Sequence, residues 1–421
     1  MAFPGREMEA ATSERKATFA AVLAVAEFRA LWLAELFSQL GDQAARVALA
    51  VLVYQRTDSA ALTGLTYALT FLPSMVGGLT LSWIGDRYPR REVIFVVDLL
   101  RAALVALMAL PGMPLPVLCV LLAVMTALGG PFKAAQLALL ADVLKGDQYV
   151  LGLSIRQITI QSAQIAGFLG GGLLAQGFSP ATGLVIDAVT FVMSALLVRL
   201  GLRHRAPTAR DSGRRGALGG GLGLLTVWRD PRLRSLAALS WLAGFYIVPE
   251  GLAAPYAASL NESSAVAVGV ILAADPVGCV IGAFIFGRFV PESVWTRTVA
   301  TLALLSGVPL MVCALRPDLA MSAILFALAG ACAICYQMQV GALFVEILPD
   351  HCRAQGMGVM SSGLLTVQGL GILAGGVVAT WTGPATAVAL AGFAGVVFGA
   401  YPAWQWTAAR RRTDLTALGS R

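Results

Sequence analysis

The chain has 421 residues, of which 58% are hydrophobic and only 13% charged, and its mean hydropathy is +0.78. So few charges cannot cover the surface of a soluble protein of this size, which leaves a polytopic membrane protein. The net charge of +7 lies as arginine in loops between apolar runs, where lipid headgroups rather than nucleic acid are its expected neighbours.

Residues 1 to 28 mix Arg6, Arg15 and Lys16 with Glu7, Glu9 and Glu14. They lack the basic-then-short-apolar pattern of a signal peptide and read as a retained cytoplasmic tail. Apolar runs of about 20 residues follow, each long enough to span a bilayer as a helix. They cover 29–53, 61–84, 92–111, 116–140, 154–176, 181–201, 235–257, 265–288, 297–315, 319–343, 355–379 and 385–408. The fold class expected is all-α: twelve transmembrane helices in two six-helix bundles, 29–201 and 235–408. A cytoplasmic loop, 202–234, joins the bundles, and a cytoplasmic tail, 409–421, ends the chain.

Between the second and third runs stands a packet of charge, Ile84 to Arg91, with Asp86, Arg87, Arg90 and Arg91 within six residues. Each charge costs about 2.5 to 3.5 kcal/mol inside hydrocarbon, so the packet belongs at or beyond the interface. Alternate loops carry the basic residues, Arg56 and Arg316 excepted, which places the packet and both termini in the cytoplasm. The segment Leu202 to Leu233 holds seven arginines and a Gly219-Gly220-Gly221-x-Gly223 patch. No Gly-Lys-Ser/Thr follows it and no strand precedes it, so the patch reads as linker and an ATP-driven pump is disfavoured.

An internal repeat supports the two bundles. At a constant offset of 204, Asp142-Val143-Leu144 recurs as Glu346-Ile347-Leu348, Gln164 as Gln368 and Pro180-Ala181-Thr182 as Pro384-Ala385-Thr386. Gly167, Gly171 and Gly172 recur as Gly371, Gly375 and Gly376, small residues that let helices approach closely.

Polar residues inside the spans are candidates for function, because retaining them there is costly. Glu35, Gln39, Asp42 and Arg46 follow at spacings of four, three and four on one face of the first helix. Asp42 can pair with Arg46, as a transport pair or a structural one. Glu250 stands in Val248-Pro249-Glu250-Gly251 with Pro255 beyond, which suggests a helix break exposing backbone. With no cation nearby in sequence, Glu250 is the first candidate to take and release a proton, against a structural cap at the outer end of the helix. Asp275-Pro276 is the next, against a kink with a capped carbonyl. Lys133 and Gln337 are partners by the offset and suit gate or headgroup contacts. Trp32, Trp241, Tyr246, Tyr336 and Met338 offer stacking and pliable apolar contact for a substrate, or interface anchoring. The six cysteines read as reduced core residues. With only His204 and His351, both in polar loops, no metal or cofactor is expected.

With twelve spans, a six-plus-six repeat and a basic turn after the second helix, the chain resembles the major facilitator superfamily. Within it, the sequence looks like the drug:proton antiporter branch that includes macrolide-efflux proteins and siderophore exporters. The family turn Gly-x-x-x-Asp-Arg-x-Gly-x-Arg/Lys-Arg/Lys appears as Ser82-x-x-x-Asp86-Arg87-x-Pro89-Arg90-Arg91, with both glycines replaced. Further likeness lies in Phe28-Arg29-x-Leu31-Trp32, Gly41-Asp42, Leu72-Pro73, Asp98-x-x-Arg101 and Asp187-x-x-x-Phe191. Ala163-x-x-x-Gly167-Phe168-x-x-Gly171-Gly172 resembles the antiporter motif, with Phe168 in place of its proline.

The resemblance implies that helices one, four, seven and ten line a cavity, and that Asp98, Arg101 and Asp187 stand outside it. It also implies a gate in which Asp86 meets the start of helix eleven, near Ala354 to Met357, in the outward-facing state. The symmetry-related turn, Gly287-Arg288 to Arg297, lacks the Asp, so the gates are unequal. Proton-coupled efflux of an amphipathic small molecule, such as a drug, antibiotic or siderophore, is the function expected, from a monomer in a bacterial plasma membrane. A nutrient symporter and a non-transporting sensor or scaffold are the alternatives.

Overall fold

A computed structural model describes residues 18–81, 84, 87–205, 220–290, 292–349 and 352–419, with backbone alone at 220–224, 292–296, 354 and 411–419. The described residues are helical, with no strand among them. The first bundle is α1 Ala26–Thr57, α2 Ala60–Leu81, α3 Arg90–Met108, α4 Leu115–Val143, α5 Asp147–Gly177 and α6 Pro180–Gly201. The second is α7 over 231–259, α8 Ala265–Phe289, α9 Arg297–Leu315, α10 Leu319–Ile347, α11 Arg353–Thr382 and α12 Pro384–Gly419.

Ten of these are long and apolar enough to cross a membrane, and α7, bent by 54° between Gly251 and Ala253, makes an eleventh. The remaining helix, α3, carries Arg90, Arg91, Glu92, Asp98 and Arg101. It packs against α6 and α4, which take up Arg90, Arg91, Glu92 and Asp98, while Arg101 reaches Asp42 of α1.

Local chemistry sets the helix starts. The side chains of Ser59, Ser179, Ser264 and Asp318 accept hydrogen bonds from the first-turn N–H groups of α2, α6, α8 and α10, each cap contributing about 1 kcal/mol. Asp230 caps α7, and Pro231 stands in its first turn. Several boundaries differ from the sequence expectation. Helix α5 begins at Asp147 rather than 154, and α12 runs on to Gly419, through the expected tail. The interdomain segment contains a helix, Gly220–Arg229, and α7 begins at Pro231. Hydropathy finds where a helix meets the membrane, whereas backbone hydrogen bonding continues past the interface.

The repeated glycines do the same work in both bundles. A Cβ on Gly167 or Gly171 would meet Gln43 or Ala44 of α1 at 2.7 Å, and one on Gly371 or Gly375 would meet Gly244 or Val248 of α7. The third of each set faces the other bundle: Gly172 lies on Ala265 and Gly269 of α8, Gly376 on Ala60 and Ala61 of α2. Both seams, α5 with α8 and α11 with α2, are thus closed near the face where odd-numbered helices end, opposite the chain termini. The largest apolar core follows them, reaching from the second bundle to Val47, Tyr67 and Phe168 of the first.

Candidate functional site at the seam between the bundles

Two interrupted helices meet at the seam. Helix α2 turns at 69–71 before resuming at Leu72-Pro73. In α7, Pro249 and Pro255 each remove a backbone donor, and the helix divides into Ala243–Tyr246, Val248–Gly251 and Ala253–Ser259. The break delivers Glu250 to the first bundle, where the buried Tyr67 donates its hydroxyl to Glu250 Oε2 at 2.6 Å. Arg46 of α1 lies over the rings of Tyr67 and Phe71, at 5.9 and 5.7 Å, and its positive charge acts on Glu250. A carboxylate, a phenol and a guanidinium from three helices and both bundles therefore share one point. Glu250 is no terminal cap.

Asp275 lies within electrostatic reach of Glu250. Helix α8 continues through Pro276, and Asp275 Oδ2 accepts the Cys279 thiol at 3.6 Å. It packs on Gly330 of α10, where a Cβ would come within 2.6 Å of Asp275 Oδ1.

In the first bundle, a cavity of about 120 Å³ is lined by Gln39, Asp42 and Arg46 of α1, Arg101 of α3, Lys133 of α4 and Asp187 of α6, among others. It has room for a few waters and is too small for a drug-sized ligand. Asp42 pairs with Arg101, both carboxylate oxygens at 3.2 Å, and not with Arg46. Arg101 also stands 4.0 Å from Asp98 and 4.1 Å over the Phe191 ring, while Ser194 donates to Asp98 at 2.6 Å. Arg101 and Asp187 thus line a pocket inside the first bundle, to which α7 and α10 contribute no described residue. Lys133 lines the same pocket. Arginine reaches across from α3 because its long side chain bridges helices that sequence spacing cannot relate.

Other candidates serve packing. Glu35, on the same face as Gln39, is buried in an ion pair with Arg156 Nε of α5 at 2.6 Å, and Arg156 also reaches Gln136 at 3.0 Å. Tyr246 donates to the Ala303 carbonyl at 2.7 Å, and its ring meets the fully buried Tyr336 edge-on at 6.5 Å. Gln337 exchanges hydrogen bonds with the side chain and carbonyl of Ser240, clamping α10 to α7. Met338 is 47% exposed on the outside of α10. None of these four lines the 120 Å³ cavity. Trp32 donates to Thr159 at 2.6 Å and Trp241 to the Met360 carbonyl at 3.1 Å.

Of the charged turn, Asp86 lies outside the described residues. Arg90 pairs with Asp142 and bonds the Ala138 carbonyl of α4, and Arg91 bonds the Arg199 carbonyl of α6 at 2.5 Å. These contacts tie the turn to helix ends of its own bundle. Two members of the sites were missed by sequence reasoning. Tyr67 looks like one more aromatic in an apolar run, and Arg156 is a lone cation near the start of a helix; only the latter's intramembrane charge was a usable signal.

The family model for the Major Facilitator Superfamily matches residues 31–306. A multidrug efflux pump of Mycobacterium tuberculosis, Tap, is 28% identical over 363 residues, covering 82% of this chain and 84% of the pump. The Tap pump of Mycolicibacterium fortuitum is 29% identical over 374 residues, covering 83% and 88%. Among solved structures, a bacterial homolog of the human lysosomal transporter Spinster superposes with a TM-score of 0.72 at 16% identity, covering 91% of this chain and 96% of that one. The nucleoside transporter NupG gives 0.71 at 14%, covering 91% and 99%. A match over more than half of the chain, on an all-helical multi-pass architecture of the same fold, makes this protein a member of the major facilitator superfamily.

Proposed function

We propose that the protein is a proton-coupled exporter of amphipathic small molecules, drugs or antibiotics above all, that works by alternating access. The observation that carries the reading is the hydrogen bond from Tyr67 to Glu250 across the seam. Support for the substrate class comes from the relatives named as multidrug efflux pumps. In this reading the protein is a monomer of a bacterial plasma membrane with both termini in the cytoplasm, as the basic loops favour.

The chemistry of the latch follows from charge. As a carboxylate, Glu250 takes a charge-assisted hydrogen bond from Tyr67, stabilised by Arg46, and the seam opposite the termini is held shut. A proton on Glu250 removes that charge and weakens the bond. An antiporter needs this asymmetry, because an empty, deprotonated carrier free to swing outward would collect a proton and leak it back. The latch restrains that state until substrate enters between the bundles. Asp275, within reach of the same charge, shares the negative potential, and Asp42 stays bound to Arg101. One proton moving down about 100 mV releases about 2.3 kcal/mol, enough for useful accumulation.

Everted vesicles test the reading. Glu250→Gln abolishes accumulation of an amphipathic cationic dye driven by the proton gradient, while facilitated equilibration persists. Full gradient-driven uptake by the variant would remove Glu250 from the mechanism.

A further inference from the structure

On the flank of the second bundle, an apolar groove of about 600 Å³ lies between α7, α11 and α12. Trp241 and Phe245 of α7 and Phe398 and Tyr401 of α12 line it, with Phe245 stacked on Phe398 at 5.6 Å. Trp228, at the end of the Gly220–Arg229 helix, meets Trp241 edge-on at 6.5 Å and closes one end. Trp228, Phe398 and Tyr401 are exposed. The groove therefore opens outward from the bundle, toward lipid, and away from the seam.

Among the described residues, the only charged one in its lining is Arg234, in the first turns of α7, and no acidic side chain lines it. Because α7 starts at the face of the chain termini, Arg234 stands at headgroup depth. Phe245, eleven residues on, lies about 16 Å deeper, roughly the thickness of one leaflet's hydrocarbon. Gln405, whose Oε1 accepts from Ser235 at 3.3 Å, keeps its amide nitrogen as a donor beside Arg234. An apolar slot one leaflet deep with a guanidinium at its mouth complements an anionic amphiphile. We propose that this groove is a binding site for an anionic glycerophospholipid, with an acyl chain along the aromatic rings and the phosphate on Arg234. A zwitterionic headgroup would bring a second cation to Arg234 and is disfavoured. Bound there, the lipid bridges α7 to α11 and α12, on the side of α7 away from Glu250.

Native mass spectrometry of the full-length protein, titrated with phosphatidylglycerol or phosphatidylcholine, tests the site. The parent is expected to retain phosphatidylglycerol preferentially. Arg234→Ala should weaken that lipid on the order of fivefold, the worth of one arginine near an anionic surface, and leave phosphatidylcholine unchanged. Ala374→Trp, on an exposed groove-lining position, fills the slot without touching the charge and should lower retention of both lipids. Equal retention of the two lipids by the parent would overturn the proposal. So would unchanged phosphatidylglycerol binding in Ala374→Trp, even if Arg234→Ala fails to fold. Displacement of bound lipid by tetraphenylphosphonium from the parent but not from Ala374→Trp would reassign the groove to cationic substrates.

Discussion

The two bundles share a glycine framework and differ in how they treat buried charge. In the first, Glu35 is bound to Arg156 and Asp42 to Arg101, arginines from neighbouring helices, while Asp98 accepts from Ser194 and Asp187 is fully buried beside them. In the second, Glu250 bonds a tyrosine of the opposite bundle and Asp275 a cysteine thiol. A carboxylate held by an arginine is costly to neutralise, because the cation is left unpaired. One held by a hydroxyl or thiol changes its proton at smaller cost. Glu35 and Asp42 are therefore the arginine-held charges of this contrast, and Glu250 and Asp275 are the ones the proposed transport cycle draws on.

The sharpest break of this contrast is Arg156→Leu, which leaves Glu35 buried without its partner. It should cost about 3 to 5 kcal/mol, read as loss of folded protein in thermal unfolding, and Glu35→Leu combined with it should recover much of the loss. If the single variant is as stable as the parent, the paired-charge description of the first bundle fails.

Tyr67→Phe comes next. Removing a hydrogen bond to a charged group costs about 1.5 to 3 kcal/mol, a shift of about ten- to a hundredfold between closed and open states. Spin labels at Ser59 and Glu262, in the turns at either side of the seam, should report a population with longer separation. An unchanged distance distribution would show that the bond is not a latch.

The glycines sharpen the comparison where the bundles agree. A Cβ at Gly371 would fall 1.7 Å from the Gly244 carbonyl, a backbone atom, whereas one at Gly167 meets first the Gln43 side chain at 2.7 Å. Gly371→Ala should cost about 1 to 3 kcal/mol and more than Gly167→Ala in the same thermal assay. Last, Asp275→Asn should leave thermal stability within about 1 kcal/mol of the parent, since no arginine is stranded. A larger loss would place Asp275 among the structural charges.

Much of the architecture was legible from one dimension. Bilayer thickness dictates the length of each apolar run, and the cost of charge in hydrocarbon dictates where the runs stop, so all twelve helices could be placed before any contact was known. The offset of 204 likewise anticipated that Gly167, Gly171 and Gly172 would be used as Gly371, Gly375 and Gly376 are. The Pro249-Glu250-Gly251 break was visible because proline removes a donor and glycine loosens the chain.

The partners of the buried charges were not legible. Asp42 had Arg46 four residues away, yet Arg101 holds it, because α3 and α6 enclose that side of α1. Glu250 had no cation near it in sequence, yet α2 and α1 bring Tyr67 and Arg46 to it from 183 residues away and beyond. Local spacing determines which residues share a helical face, and hydropathy determines which helices span. Which side chain meets which charge depends on how twelve helices pack, and that only the tertiary structure decided.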